Sequence, residues 1–383
     1  MKKAVRILPV AVGIGILLVV LFSSSATAEE VGRISGRAGV LYEPESGRIL
    51  FGKNENARLP MASTTKIMTA LVAAERASID ELVGIDARAV GVEGSSAYLK
   101  EGEVLTLEEL LYALLLQSAN DAAVAIACHI GGSIEGFAEM MNGKAAELGL
   151  VDTHFENPHG LDADGHYTTA KELATVAAEA MKNPLLREIF ATRKRSFTNG
   201  ERSRTYVNHN KLLQLYDGAV GVKTGYTRRC GRCLVGAAER DGLTLLSVTL
   251  DAPDDWRDHA RMLDFGFASL ERLWLVNVGD KEYDVAVMDG DGEHVTVRNT
   301  TSLSRIVDRG EHEVKEYVKL PRFVTAPVSE GDPLGCVIYT VDGEYAGEVR
   351  LVATETVRKK GRSRLLRKTF NKNIRIRTDL WKR

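Results

Sequence analysis

Apolar and polar positions follow strand and helix periods in turn along the first two thirds of the chain. The alternating stretches Ala38 to Tyr42 and Arg48 to Gly52 flank the turn residues Glu45-Ser46-Gly47, which predicts a β-hairpin. Beyond this hairpin, residues 67–74 are apolar nearly all round, a pattern typical of a helix that is buried on every side. We therefore predict a central buried helix that begins near Ser63.

Capping residues mark further helices. Thr106 and Glu109 form a capping box in front of an apolar run that reaches Leu116, and the short turn 117–121 separates that run from the next helix. The remaining predicted helices are 122–129, 134–148, 169–182, which Pro184 closes, and 256–273. The remaining predicted strands are a pair within 192–211 and three successive strands at 219–226, 233–239 and 243–251.

The pattern changes at Trp274. Short alternating stretches separated by Gly and Asp pairs continue to Val357, and no long helical period remains. This pattern predicts a separate small all-β domain at 274–357, folded as a sandwich. The mixed helices and strands before it predict an α/β (α+β) domain at 29–273.

The first 28 residues are predicted to be a secretory signal peptide. Lys2, Lys3 and Arg6 precede an uncharged apolar run, and Ala26-Thr27-Ala28 offers a small-x-small cleavage site. The alternative is an uncleaved membrane anchor, but the run is somewhat short for a membrane span. Cleavage is the favoured interpretation, and it predicts an exported, extracytoplasmic protein.

Charge is distributed unevenly along the chain. The net charge is −2, yet residues 358–383 carry +11 and the leader +3, which leaves −16 for the body between them. In the tail, Leu366, Phe370 and Ile374 are four residues apart with cations between them. This spacing predicts a basic amphipathic helix lying on an anionic membrane surface, with a solvated tail or one docked on the acidic body as alternatives. The acidic body does not indicate a nucleic-acid partner.

Four cysteines are present, namely Cys128, Cys230, Cys233 and Cys336. Cys230 and Cys233 form a C-x-x-C, which a redox site would place at the start of a helix that follows a strand. Here the motif falls in a predicted hairpin, so unpaired thiols are favoured over a redox pair. No spacing typical of a zinc site occurs, and we predict no metal and no cofactor.

Candidate chemistry begins at Ser63 and Lys66, which lie one helical turn apart near the free N–H groups of a helix start. A serine hydroxyl becomes a strong nucleophile when a base removes its proton, and Lys66 is the nearest candidate base. Burial and a second cation would lower the pKa of that lysine enough for the role. Taken alone, the pair also fits a helix-capping serine beside a solvated lysine.

A second stretch, Lys223-Thr224-Gly225-Tyr226, lies on a predicted strand. Lys223 can supply the second cation, Thr224 a hydroxyl, and Gly225 room for the backbone of a ligand. The backbone N–H of Tyr226 can donate to an oxyanion. Together these groups suit a substrate with a free carboxylate, whereas the alternative is an ordinary strand with an exposed lysine.

A third stretch, Ser118-x-Asn120, offers a hydroxyl and an amide on the turn between two apolar helices. Ser118 can relay a proton to a leaving amine, and Asn120 can hold Lys66 and a substrate carbonyl. In isolation a helix cap explains both residues equally well.

The three elements, in this order on helix, turn and strand, are the set found in penicillin-binding proteins and serine β-lactamases. The chain resembles low-molecular-mass penicillin-binding proteins, the serine-type D-alanyl-D-alanine carboxypeptidases, over nearly its whole length. The stretches 157–161, Asn-Pro-His-Gly-Leu, and 223–227, Lys-Thr-Gly-Tyr-Thr, are also similar to this branch. The resemblance implies a β-lactamase/transpeptidase-like domain with an antiparallel sheet and a helical subdomain.

The resemblance also implies roles for individual residues. Ser63 forms the acyl-enzyme and Lys66 is its general base, while Ser118 and Asn120 complete the proton network. The implied reaction removes the terminal D-alanine of a peptidoglycan stem peptide, and β-lactams acylate the same serine.

At the other end of the site, the resemblance implies that Lys223 and Thr224 bind the terminal carboxylate of the substrate. Gly225 lies beside them, and the amides of Ser63 and Tyr226 form the oxyanion hole. Cys230 departs from the small apolar residue that relatives often carry, but it lies past the strand end.

Two other functions are compatible with the same motifs. A class A type β-lactamase needs a glutamate-activated water, and the nearby Glu156 lies in a stretch unlike that enzyme's loop. A wall-binding scaffold with an inactive site is the alternative from another class, and the intact set of polar residues argues against it. A transpeptidase differs from the carboxypeptidase only in its acceptor.

Overall fold

The computed structural model describes residues 31–199 and 202–361. Within these residues the strands are β1 (Ala38–Glu43), β2 (Arg48–Lys53), β3 (Leu82–Gly84), β4 (Val104–Thr106), β5 (Lys194–Asn199), β6 (Arg202–Val207), β7 (Ala219–Thr227), β8 (Gly231–Arg240), β9 (Leu243–Leu250), β10 (Leu270–Val276), β11 (Glu282–Met288), β12 (His294–Asn299), β13 (Leu303–Asp308), β14 (Val314–Lys319), β15 (Phe323–Thr325), β16 (Pro333–Val341) and β17 (Glu344–Ala353). The helices are α1 (Lys66–Arg76), α2 (Leu107–Leu116), α3 (Asn120–Gly131), α4 (Ile134–Glu147), α5 (Ala170–Lys182), α6 (Pro184–Ala191), α7 (Leu212–Leu215) and α8 (Asp255–Ser269). Short 3₁₀ turns cover Ala62–Thr65 and Ala87–Ala89.

A five-stranded antiparallel sheet in the order β2-β1-β9-β8-β7 supports the first domain. Strand β1, from the start of the domain, pairs with β9 from its end, with Leu41 opposite Ser247. Helix α8 packs against this sheet, and its fully buried His259 hydrogen-bonds Ser247 Oγ and Thr249 Oγ1 on β9 at 2.8 Å and 3.0 Å. Strand β7 is left as an edge of the sheet, open to a ligand on one side.

The remaining helices form the helical part of the domain around α1. All residues of α1 from Lys66 to Ala73 are buried, which confirms the predicted central helix. Thr106 accepts a hydrogen bond from the Glu109 N–H at the start of α2, as its capping box predicts. Helix α3 follows α2 after a short turn. The first residue of α3, Asn120, contacts Lys66 at the start of α1, close to Ser63.

One sequence prediction was wrong and one helix was missed. The helix that Pro184 was predicted to close ends at Lys182, as expected, but Pro184 also opens the unpredicted helix α6 as its first residue, capped by the Asn183 side chain. The helix predicted to reach Leu273 ends at Ser269. The residues after it form β10, which pairs with β13, with Leu270 opposite Asp308.

The second domain is all-β, as predicted. A six-stranded sheet in the order β14-β16-β17-β12-β11-β15 packs with the two-stranded β10-β13 sheet around a separate apolar core. Strand β10 runs across the predicted boundary at 273/274, so the change of domain occurs within a strand rather than in a linker.

The predicted leader, 1–28, and the predicted amphipathic tail, 358–383, lie wholly or largely outside the described residues. Among the residues that are described, no helix is long and apolar enough to span a membrane.

Candidate active site

Ser63 lies in a strained turn at the mouth of α1. It is the second residue of the 3₁₀ turn that leads into the helix, and the residue before it, Ala62, has φ +48°. A residue with a side chain seldom adopts this left-handed conformation unless its surroundings enforce it. Here they do: a Cβ added to Gly160 would lie 1.9 Å from the Ala62 carbonyl oxygen, and one added to Gly225 would lie 3.0 Å from the Ser63 nitrogen. Backbone from two other segments therefore presses directly on this turn.

The side chain of Lys66 is fully buried and reaches three oxygen atoms. Its Nζ lies 2.9 Å from Ser63 Oγ, 2.6 Å from Asn120 Oδ1 and 2.6 Å from the backbone carbonyl oxygen of His159. The amide and carbonyl oxygens can only accept hydrogen bonds. A neutral amine therefore gives both its protons to those two oxygens and turns its lone pair toward the hydroxyl of Ser63.

Electrostatics favour that neutral form. Burial lowers the pKa of Lys66 well below its ordinary value, the positive charge of Lys223 lowers it further, and Asp121 opposes the shift. Burial also lowers the pKa of Lys223, to about 7. Two buried ammonium groups disfavour each other's charge, and this favours a neutral Lys66 that can accept a proton.

The loop 157–160 supplies the contact that sequence reasoning missed. The side chain of Asn157 accepts hydrogen bonds from the N–H groups of His159 and Gly160, at 3.3 Å and 2.7 Å, and so shapes the loop around Lys66. The His159 carbonyl that holds Lys66 is a backbone group, which has no residue signature of its own. The signal available in the sequence was the Asn-Pro-His-Gly stretch, noted there only as a family likeness.

The predicted pair Ser118 and Asn120 lies next to Ser63 and Lys66. Ser118, with φ +60°, occupies the turn between α2 and α3 and lines the cleft in front of Ser63. Asn120 is the first residue of α3, and its Nδ2 donates to the Glu93 carbonyl at 2.5 Å while its Oδ1 accepts from Lys66. The amide is thereby oriented from both ends.

The third predicted stretch runs along the edge strand β7. Thr224, Gly225 and Tyr226 line the cleft, whereas Lys223 is 1% exposed and its Nζ donates to the Thr224 carbonyl at 2.8 Å. Lys223 is therefore buried, and its positive charge acts on Lys66.

A cleft of about 350 Å³ lies in front of Ser63. Its wall includes Cys233 and residues that the sequence analysis did not single out for chemistry: Ser95, His209, Lys211, Arg232, Asp255 and Trp256. Arg232 stands opposite Tyr226 in the β7–β8 pairing, donates to Asp255 at 2.8 Å and stacks over the ring of Trp256. In the sequence, Arg232 is marked only by its position within the C-x-x-C motif, and that motif points to its cysteines rather than to the arginine.

Cys230 and Cys233 occupy the β7–β8 hairpin, and all four cysteines are free thiols. Burial raises the pKa of Cys230 to about 11 and that of Cys233 to about 12. Thiols that are buried and protonated are poor nucleophiles, which agrees with the prediction of unpaired cysteines.

Comparison with known proteins agrees with this geometry. Residues 24–254 match the family of D-alanyl-D-alanine carboxypeptidases, peptidase family S11. The chain belongs to this family. Residues 274–359 also match the C-terminal domain family of penicillin-binding protein 5.

Individual relatives cover both domains. The D-alanyl-D-alanine carboxypeptidase DacF of Bacillus subtilis is 33% identical over 93% of this chain and 96% of its own length. DacC of Escherichia coli is 30% identical over 89% of this chain and 90% of its own length. The structure of penicillin-binding protein 5 from Haemophilus influenzae is 28% identical, with a TM-score of 0.62 over 85% of this chain and 98% of that one.

The family assignment establishes a serine-type D-alanyl-D-alanine carboxypeptidase and penicillin-binding protein, as the sequence analysis concluded. It also agrees with the predicted fold, an antiparallel sheet with helices followed by a β-rich second domain.

The charge coupling between the two buried lysines can be measured directly. Lys223→Gln removes one positive charge and keeps a donor for the Thr224 carbonyl, so the pKa of Lys66 should rise. NMR titration of lysines labelled at Cε, with the Lys66 signal assigned through Lys66→Arg, would report the shift. Lys211→Gln is the matched control, since Lys211 lines the cleft but is exposed. An unchanged Lys66 pKa in Lys223→Gln would contradict the coupling.

Proposed function

We propose that the chain removes the terminal D-alanine of peptidoglycan stem peptides through an acyl-enzyme formed on Ser63. The observation that carries the assignment of Ser63 is its contact with Lys66, a buried amine whose other two partners are acceptors only. A base in that position takes the hydroxyl proton without competing for it with solvent.

In the first step Ser63 Oγ attacks the carbonyl carbon of the penultimate D-alanine, and the hydroxyl proton passes to Lys66 Nζ. The backbone N–H groups of Ser63 and Tyr226 donate to the negatively charged oxygen of the tetrahedral intermediate. Ser118 relays a proton from Lys66 to the leaving nitrogen. The C–N bond breaks, and D-alanine leaves with its amine protonated.

In the second step water attacks the ester carbonyl. Lys66, neutral again, takes a proton from the water and passes it to Ser63 Oγ as the ester C–O bond breaks, which restores the hydroxyl of Ser63. Asn120 keeps the amine aligned through both steps because its Oδ1 holds one N–H of Lys66. All groups needed for the two steps are side-chain or backbone groups of this chain.

At the far end of the cleft we assign the terminal carboxylate of the substrate to Thr224 together with the positive field of Lys223. Arg232 adds a guanidinium that lines the cleft, whereas Lys223 is buried. One Nη of Arg232 is held by Asp255, and the guanidinium lies over the ring of Trp256. A guanidinium anchored in this way can offer its other Nη to a carboxylate at little entropic cost.

β-Lactams are expected to enter the same cleft, because they present a carboxylate and a reactive amide at a similar spacing. In a β-lactamase, Glu156 would have to activate the hydrolytic water, but this residue does not line the cleft. This placement supports slow hydrolysis of the acyl-enzyme formed with penicillin, as in a carboxypeptidase rather than a β-lactamase.

The carboxypeptidase family acts on the cell wall, which supports an extracytoplasmic location. We further propose that the leader 1–28 is removed, that 29–273 and 274–357 form the catalytic and β-rich domains, and that the tail 358–383 holds the enzyme at the outer face of the cytoplasmic membrane. The charge of +11 and the apolar spacing of the tail support this role.

Covalent labelling tests the nucleophile. The chain from Glu29 onward should react with a fluorescent penicillin and release D-alanine from a peptide ending in D-Ala-D-Ala, and Ser63→Ala should do neither. Absence of labelling in the unsubstituted chain would indicate an inactive scaffold. Rapid turnover of the penicillin adduct would indicate a β-lactamase instead.

The role of Arg232 is tested by Arg232→Gln, which keeps an N–H donor and removes the charge. We expect kcat/KM for the peptide to fall about 10- to 100-fold, the range for losing a charged hydrogen bond of ~1.5–3 kcal/mol. Arg229→Gln is the control, because Arg229 is on the same hairpin and pairs with Asp164 away from the cleft. Equal effects of the two substitutions would argue against carboxylate recognition by Arg232.

Membrane attachment is tested with vesicles. The chain 29–383 should sediment with vesicles that contain anionic phosphatidylglycerol, and binding should weaken at high salt because charge attraction contributes. A chain that ends at Gly361 should stay in solution yet still react with penicillin. Equal sedimentation of both chains would assign any membrane contact to another part of the protein.

A further inference from the structure

A buried histidine behind the active site has partners that connect it to the nucleophile. His166 is 4% exposed, and none of the reaction steps above uses it. Its Nδ1 accepts a hydrogen bond from the backbone N–H of Glu156 at 3.1 Å, and its Nε2 lies 2.7 Å from Thr65 Oγ1. The imidazole thus bridges two segments that are separate in sequence.

The direction of these hydrogen bonds follows from chemistry. A backbone N–H can only donate, so Nδ1 is the accepting nitrogen and the ring proton resides on Nε2. Nε2–H therefore donates to Thr65 Oγ1, and the Thr65 hydroxyl donates in turn to the Ala62 carbonyl at 2.8 Å. Burial lowers the pKa of His166 to about 4, which keeps the ring neutral and this direction intact at neutral pH.

The chain of hydrogen bonds from His166 through Thr65 ends on the peptide group that joins Ala62 to Ser63. The Ala62 carbonyl and the Ser63 N–H belong to one planar peptide, so holding the carbonyl fixes the direction in which that N–H points. The Ser63 N–H is one of the two proposed oxyanion donors. The constraint is needed because Ala62 is in the left-handed conformation, from which the peptide would relax if released.

The loop that holds Lys66 also packs closely against this peptide group. A Cβ added to Gly160 would lie 1.9 Å from the Ala62 carbonyl oxygen and 2.8 Å from Thr65 Oγ1, so the loop packs directly on the relay. His166 anchors the start of that loop through the Glu156 N–H. One imidazole therefore sets the position of the loop and of the turn relative to each other.

We propose that His166, acting through Thr65, is a positioning residue that aims the Ser63 N–H at the oxyanion of the transition state. This inference rests on the proposed role of Ser63 and adds to it. Because the effect is on the transition state, loss of the relay should slow acylation while leaving the initial binding of penicillin or peptide nearly unchanged.

The test measures acylation by penicillin in stopped flow, which separates the dissociation constant of the first complex from the acylation rate constant. In His166→Leu the rate constant should fall about 10- to 100-fold, below the full cost of deleting an oxyanion donor. His166→Gln keeps an N–H donor and should recover most of the rate. Affinity for a boronic acid that mimics the tetrahedral intermediate should fall in parallel with the rate.

Thr65 provides the second pair of variants. Thr65→Val removes the hydroxyl at nearly constant volume and should match His166→Leu, whereas Thr65→Ser keeps the hydroxyl and should be close to the unsubstituted chain. Since both residues act through one relay, the double substitution His166→Leu/Thr65→Val should cost little more than either single one.

His259 is the matched control for a purely structural effect. It is also a fully buried neutral histidine bonded to two hydroxyl groups, but its partners are on β9, and burial likewise lowers its pKa, to about 3. His259→Leu should lower the melting temperature without changing the acylation rate constant of the folded protein.

The outcomes separate this inference from the function on which it rests. If the unsubstituted chain is not acylated at Ser63, the proposed function fails. If it is acylated while folded His166→Leu and Thr65→Val keep the full rate, or if His259→Leu slows acylation as much as His166→Leu, the positioning role is overturned and the function stands.

Discussion

The burial of one lysine amine, that of Lys66, is the constraint on which the rest of the first domain depends. Lys66 loses its hydration entirely, and an ammonium in that place would be costly unless it were compensated. Two acceptors hold the amine, and the positive charge of Lys223 on β7 makes the charged form of Lys66 less favourable. The result is an amine that is held in one orientation beside the hydroxyl of Ser63.

The sheet and the helices meet at this amine, and the tightness of that junction explains its glycines and its strained residues. Gly160 and Gly225 stand where two backbones approach the 3₁₀ turn too closely for a side chain. Ala62 and Ser118 both adopt left-handed conformations at the site. At Ala62, the buried Thr65 hydroxyl donates to the carbonyl and helps to keep the conformation in place. The stability of the surrounding core thus maintains a geometry that the local sequence would not choose.

The two cations near the cleft differ in their exposure. Lys223 is buried, while Arg232 lines the cleft and is held there by Asp255 and Trp256. An anionic group on the substrate can therefore bind the guanidinium of Arg232. Lys223, the cation that influences Lys66, stays buried. Such a separation lets one cleft attract a carboxylate and still contain a neutral lysine.

Local patterns in the sequence were sufficient for most helices and strands, for the all-β second domain and for picking out the three stretches that meet at the cleft. Periodicity and capping act between near neighbours, as the hydrogen bond between Thr106 and Glu109 shows. They missed helix α6, which begins at Pro184, and failed after Ser269, where a partner strand decided the outcome. The low pKa of Lys66, the His159 carbonyl beside it, the place of Arg232 and the link from His166 to Thr65 appear only in three dimensions. Burial and contacts between residues far apart in sequence create them, and backbone groups contribute without any signature in the residue types.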